Sequence, residues 1–262
     1  MTTIQDLITY VETSIGHPLT TEEWLLNGDR DRTISGVTVC WMASPDAIRA
    51  AGAAGHDLVI THESLYFPYN APLAQNAPDG WEAWQTNRQR TDLLAGYGLE
   101  LLRLHSSVDE ICIFDDFAAL LGLGEPVVAD GLVKIYEVAP VSLTDLVADV
   151  KRRLAMPGLR LCAPHGTNQV VHRVGLPWGG LGLFVNVGYQ QRLIEHNCDV
   201  LIAGESDNYG FRFAEELGIP MIETSHELSE NPGLRHFTQL LARAFTDVSF
   251  EFYENPCVWH IA

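Results

Sequence analysis

The chain has 262 residues, with 34 acidic against 16 basic side chains and a formal net charge of −18. A field of that sign repels phosphate backbones and anionic membrane surfaces, which argues against nucleic acid or a membrane as partner. With 47% hydrophobic and 19% charged residues, the composition is that of a folded globular protein and not a disordered one.

Five cysteines, odd in number and without a C-x-x-C pair, fit a reducing cytoplasm. The N-terminus lacks a basic n-region and an apolar h-region, and no apolar run approaches a membrane span, so neither export nor insertion is expected.

Ile4, Leu7, Ile8, Val11 and Ile15 recur at helical spacing and predict an amphipathic first helix. Pro18 ends that region, and a loop or short helix fills 19–31. Val37–Trp41 reads as a strand. Ser44-Pro45-Asp46 supplies an N-cap, a first-turn proline and an early acid, so an alanine-rich helix begins there and runs to about Gly55. The strand Asp57–Thr61 follows and ends in His62-Glu63.

Residues 68–82 carry three prolines and no periodicity, a long loop placed where substrate-shaping loops sit. A helix over 83–97, a strand over 99–104 and a short helix over 116–121 come next, then a break at Gly122–Gly124. The second part reads as a strand over 133–138, a helix capped by Ser142 and Asp145, and strands over 159–162 and 169–176. A glycine turn at 179–182 precedes a helix over about 188–197. Strand 199–203, a helix over 208–217 and strand 220–223 follow, then a last helix over 233–245 and a strand over 248–253. Alternation of this kind predicts an α/β protein with mixed sheets.

One pattern occurs twice. Asp57-Leu-Val-Ile-Thr-His-Glu63-Ser64 and Asp199-Val-Leu-Ile-Ala-Gly-Glu205-Ser206 share Asp, Ile, Glu and Ser in the same order. One helix and one strand later, each is followed by a His-x-x-x-acid pair, His105…Asp109 and His226…Glu230. We therefore expect two pseudo-equivalent α/β halves, residues 1–125 and 126–262, with a dinuclear metal site between them. Glu63 and Glu205 would correspond, as would His105 and His226. Ligands of parallel sheets bind beyond the carboxyl ends of strands, where these residues fall.

The residue types suit that chemistry. Two divalent ions about 3.5–4 Å apart need imidazoles together with carboxylates that can bridge and neutralise them. His62, Glu63, Asp109, His226 and Glu230 supply two nitrogens and three carboxylates, a set suited to manganese, iron or zinc and poorly to copper(I). Taken singly, each has a plainer explanation: a strand-end histidine, a solvated acidic loop, or acids favoured in the first turn of a helix. Five arriving together in duplicated order favour the metal reading. His105 is the choice for proton transfer or support, and Glu205 for orienting a ligand or water. Gly179–Gly182 lacks the Lys-Ser/Thr of a P-loop, and no G-x-S-x-G elbow surrounds Ser64, Ser106 or Ser107. His165, His172, His196, His236 and His260 show no partner pattern.

On these motifs the chain resembles the NGG-interacting-factor-three (Nif-three-like) family, also described as type-two GTP cyclohydrolase I. The resemblance rests on His62-Glu63, His105-Ser-Ser-Val-Asp109, Gly204-Glu205 and Ser225-His226-Glu-Leu-Ser-Glu230, and it spans nearly the whole chain. It implies a homohexamer with a dinuclear metal centre. The second family histidine is Glu63 here, the histidine after Gly-Glu is absent near Asn208-Tyr209, and the acid at the end of the first strand is missing near Trp41-Met42. The expected activity is hydrolysis of a C–N or cyclic amide-type bond in a small molecule by a metal-bridging hydroxide. The alternatives are a metal carrier for cofactor assembly, or a scaffold whose metals are structural.

Overall fold

The structure is a computed structural model that describes residues 1–259. The first helix, α1 (Ile4–Ile15), starts at a reciprocal cap. The Thr3 hydroxyl accepts the Asp6 amide, while the Asp6 carboxylate accepts the Thr3 amide. Gly16, in the left-handed region at φ 79°, closes the helix. Ile4, Leu7, Ile8 and Val11 are buried, each such side chain contributing about 1.5–3 kcal/mol.

In chain order there follow β1 (Gly36–Cys40), α2 (Pro45–Ala53), β2 (Leu58–Thr61), α3 (Gln85–Tyr97) and β3 (Glu100–Arg103). A helical run then comprises α4 (Ser106–Val108), a π-helical turn (Asp109–Ile113) and α5 (Phe114–Leu120). Next come β4 (Val128–Asp130), β5 (Val133–Ser142), α6 (Leu143–Arg153), β6 (Arg160–Cys162) and β7 (Val170–Gly175). The chain then forms α7 (Val187–Glu195), β8 (Val200–Ala203), α8 (Asn208–Glu216), β9 (Met221–Glu223), α9 (His226–Ala244) and β10 (Ser249–Tyr253).

The described residues divide into two compact units, residues 1–113 with 233–255, and residues 114–232 with 256–259. Where the sequence reading placed one joint at 125/126, the chain crosses at 113/114 and returns at 232/233. The return occurs inside α9, and β10 then completes the first sheet.

That sheet has strand order β10-β1-β2-β3 and is parallel throughout. β1, β2 and β3 are buried on both faces, as their largely apolar runs require, while the edge strand β10 is partly exposed. Ala47, Ile48, Val59, Leu94 and Leu101 form part of the core beneath it. The second sheet is mixed, with order β4-β5-β7-β8-β9-β6, and its core gathers Ile135, Leu193, Leu201, Ala203 and Met221.

The duplication is real at the level of backbone hydrogen bonds. Each copy sits centrally in a parallel triplet, β1-β2-β3 in one unit and β7-β8-β9 in the other. Asp57 N–H donates to Gly36, and Asp199 N–H to Arg173. Past the strand end, Glu63 N–H donates to Trp41 and Glu205 N–H to Gly179. Glu63 and Glu205 are thus equivalent.

The expected match of His105 with His226 is corrected by the same register. Thr61 pairs with Arg103 and Ala203 with Glu223, which aligns His105 with Ser225 and Ser106 with His226. The two His-x-x-x-acid pairs are one residue out of step. The last helix also begins earlier than predicted, at His226, with Pro232 inside it. Pro232-Gly233 resembles a helix start, but the helix already runs through it.

Candidate metal centre

β2 stops at Thr61, yet the backbone stays paired for two more residues, because His62 N–H donates to Cys40 and Glu63 N–H to Trp41. His62 and Glu63 are therefore held at the carboxyl end of the parallel sheet, and both side chains are buried. β3 delivers His105 to the same end, where its ring stacks on that of His62 at 4.5 Å between centroids. Asp109 follows one helical turn later, in the π-helical turn.

These four predicted residues come together within the first unit. His62, Glu63 and His105 each offer a ligand atom, and the three atoms lie within 4.8 Å of one another. His105 Nε2 is 3.8 Å from Glu63 Oε1, and Asp109 lies 3.9 Å from both His62 Nε2 and His105 Nδ1.

The remaining three predicted residues assemble within the second unit. His226 Nδ1 is 2.9 Å from Glu205 Oε2, and His226 Nε2 is 3.4 Å from Glu230 Oε1. Glu230 is buried and Glu205 is largely exposed. The glycine turn explains its own composition here. A Cβ on Gly179 would overlap Glu230 Oε1 and lie 3.2 Å from His226 Nε2, and one on Gly180 would press on the same imidazole. Gly179 also has φ +50°. The turn is a cradle for His226 and Glu230, and not a phosphate loop.

The His62 tautomer follows from its partner. His62 Nδ1 is 3.2 Å from the Leu104 carbonyl, which can only accept, so Nδ1 carries the proton and Nε2 is the basic nitrogen. On His226 the Glu205 carboxylate takes the Nδ1 side at 2.9 Å, and Nε2 faces Glu230 at 3.4 Å. Anchoring one imidazole nitrogen to a carbonyl or carboxylate, with the other turned toward acids, is the arrangement metal-binding histidines adopt. Glu63, Asp109 and Glu230 are buried carboxylates set beside imidazoles, acid and nitrogen donors side by side. The donor set, nitrogen and oxygen without thiolate, fits hard to borderline divalent ions. These clusters could hold metal.

Sequence reasoning missed four neighbours. Glu23, from the loop before β1, accepts the amides of His105 and Ser107 and so caps the helical run that carries Asp109. Burial pushes the Glu23 carboxyl up, but these bonds and that from Thr20 outweigh it and hold the group below the usual range. Glu22, Tyr69 and Arg103 surround His105. The one signal was Arg103, a charge inside the apolar run Leu101-Leu102-Arg103-Leu104. The other histidines lie apart; His172 binds Asp199, and His260 lies outside the described residues.

Two parallel strand triplets, each ending in a carboxylate–imidazole cluster, define an α/β protein with residue groups that could hold a metal ion. The chain belongs to the DUF34/NIF3 (NGG1p interacting factor 3) family, whose model matches residues 2–256. It is 21% identical over 239 residues to a GTP cyclohydrolase 1 type 2 homolog of Clostridium perfringens, covering 86% of this chain and 85% of that protein. Among solved structures, Staphylococcus aureus protein SA1388 superposes with a TM-score of 0.78 at 18% identity, over 100% of this chain and 99% of that one. A Bacillus cereus protein related to NIF3 gives 0.78 at 13% identity, over 99% of each chain. At these identities the structural likeness establishes the fold.

Proposed function

We propose that this chain is a metal-dependent hydrolase that holds two divalent ions (manganese, iron or zinc) and opens a C–N or cyclic amide-type bond in a small molecule. His62, Glu63, Asp109, His226 and Glu230 are the proposed ligands. The observation that carries this reading is the shared geometry of His62 and His226, each with an acceptor beside Nδ1 and each turning Nε2 toward a carboxylate. The family match and the cyclohydrolase name of the Clostridium relative support the reaction class.

When bound, the ions would supply Lewis-acid polarisation and bring the pKa of a water toward neutrality. This chain's own residues do the rest. His105 takes a proton from the attacking water and returns it to the leaving group, and its side chain, 23% exposed, can be reached by a small substrate. Glu205 orients His226 through Nδ1 and, being exposed, can also meet a ligand or water. A homohexamer, as the family resemblance implies, in the reducing cytoplasm that the cysteine pattern fits, completes the reading.

The test is an assay of zinc- and manganese-loaded protein against a panel of cyclic amides, pterins and GTP. We expect metal-dependent ring opening that falls about 10²–10⁴-fold in His105→Gln, with metal retained. A protein that turns over nothing and gives up its metal quickly to a chelator or an apo-enzyme is a carrier instead.

A further inference from the structure

Among the described residues two arginines are buried, Arg90 and Arg103. Arg103 is matched on every side. Its Nη1 lies 3.9 Å from Glu22 Oε2, and its other bonds go to the carbonyls of His62 and Glu22, to Asn70 Oδ1 and to the Tyr69 hydroxyl.

Arg90, on the second turn of α3, is matched hardly at all, although it is only 5% exposed. Its Nη1 donates to the Leu65 carbonyl at 2.6 Å, and its Nη2 lies 3.3 Å from Met42 Sδ, a weak acceptor. Among the described residues no carboxylate pairs with it. The one titratable group that bears on its charge is the Cys40 thiol, which burial pushes up to about 12 and so leaves neutral.

A buried cation is costly to a fold unless an anion sits beside it. The chain has 34 acidic residues and sets none of those described against Arg90. A guanidinium also carries five N–H donors in a rigid fork that matches carboxylate and phosphate, and one backbone oxygen uses little of it.

The place is suited to a ligand. Met42 and Leu65 stand just beyond the carboxyl ends of β1 and β2, the end that also carries His62 and Glu63. Parallel sheets bind ligands in that crevice.

Phe67 covers the group. Its ring centre is 4.7 Å from the guanidinium carbon, and the residue is 39% exposed. The fully buried Asn87 grips its backbone, accepting the Phe67 amide at 2.9 Å and donating to the Phe67 carbonyl at 2.6 Å. The backbone is pinned while the ring faces solvent, so rotation of one side chain uncovers the fork. A charge-assisted bond to an oxyanion is stronger than the cation–π contact it replaces.

We propose that Arg90 is an anion-recognition residue. With the Phe67 ring turned aside, its fork takes an oxyanion, the carboxylate or phosphate of a small molecule lying at the strand ends. That this molecule is the substrate rests on the hydrolase reading above; that Arg90 binds an oxyanion does not.

The experiment is equilibrium dialysis of the full chain against radiolabelled phosphate and, separately, radiolabelled succinate, at constant ionic strength set with chloride. The protein is stripped with chelator first, so that bound metal cannot hold the anion. We expect saturable binding of at least one of the two, phosphate marking a phosphorylated ligand and succinate a carboxylated one. Arg90→Met should weaken it by about 10–100-fold, the weight of a hydrogen bond to a charged group. Arg90→Lys keeps the charge without the fork and should fall between. Phe67→Ala removes the cover and should bind no more weakly than wild type. Wild type that binds neither anion saturably overturns the proposal and needs no folded variant to do so. Equal binding by Arg90→Met or Arg90→Lys, shown to be folded by circular dichroism and thermal midpoint, overturns it too, as an adventitious ion only. Metal content and turnover are measured apart, so failure of the hydrolase reading and failure of the anion site stay distinguishable.

Discussion

Gly179 places its backbone where any side chain would meet Glu230 and His226. An alanine there must tolerate φ +50°, which costs about 1–2 kcal/mol, while the Glu230 carboxylate, as the far end of a flexible side chain, can swing aside. We therefore expect Gly179→Ala to lower thermal stability only modestly and to weaken metal binding by about 10–100-fold, the range for a disturbed supporting contact. Calorimetric metal titration alongside thermal unfolding checks this. Equal metal affinity in a normally folded variant would show that the cradle does not position Glu230. At this scale the ligand types were legible in the sequence, because His and acid at strand ends can be read as letters. Glu22, Glu23 and Tyr69 were not, because they sit on aperiodic loops whose course is set by partners far along the chain.

The strand that opens with aspartate is a reusable element. Asp57 accepts the amides of Ser35 and Gly36 and the Ser35 hydroxyl, and Asp199 accepts the amides of His172 and Arg173. The aspartate satisfies donors at the entry of β1 in the first unit and in the middle of β7 in the second, and in each it ties its own strand's start to its neighbour. Burial pushes the Asp57 carboxyl up, but these donors outweigh it and hold it below the usual range. A carboxyl depressed on folding stabilises fully above its unfolded pKa of about 3.9, and that gain disappears as pH falls through the lower folded value. Asp57→Ala should cost about 1–3 kcal/mol near pH 7, with the gap to wild type closing below about pH 4. Urea unfolding at pH 7 and pH 3 measures it, and a gap that persists undiminished in acid would point to packing and not charge. The element order was largely legible, since Asp, apolar run and acid repeat in plain sight. The one-residue offset between His105 and His226 was not, because register is written in backbone hydrogen bonds. Nor was the start of α9 at His226, because Pro232 carries the mark of a first helical turn.

Over the whole molecule, each unit builds its own sheet, and each sheet ends in a cluster of imidazole and carboxylate. No helix among the described residues is long and apolar enough to cross a membrane. On the proposed reading, Glu63 in place of the family histidine would make the donor set more anionic and would favour harder ions such as manganese or iron. The net charge of −18 leaves ample scope for bound cations to offset repulsion. The most direct measurement is metal content per chain by elemental mass spectrometry, on wild type and on the double variant His226→Ala/Glu230→Ala prepared identically. We predict close to two equivalents of manganese, iron or zinc in wild type and a clear loss in the variant. A wild-type chain that is metal-free and takes up none on reconstitution would contradict the metal centre and, with it, the proposed hydrolysis.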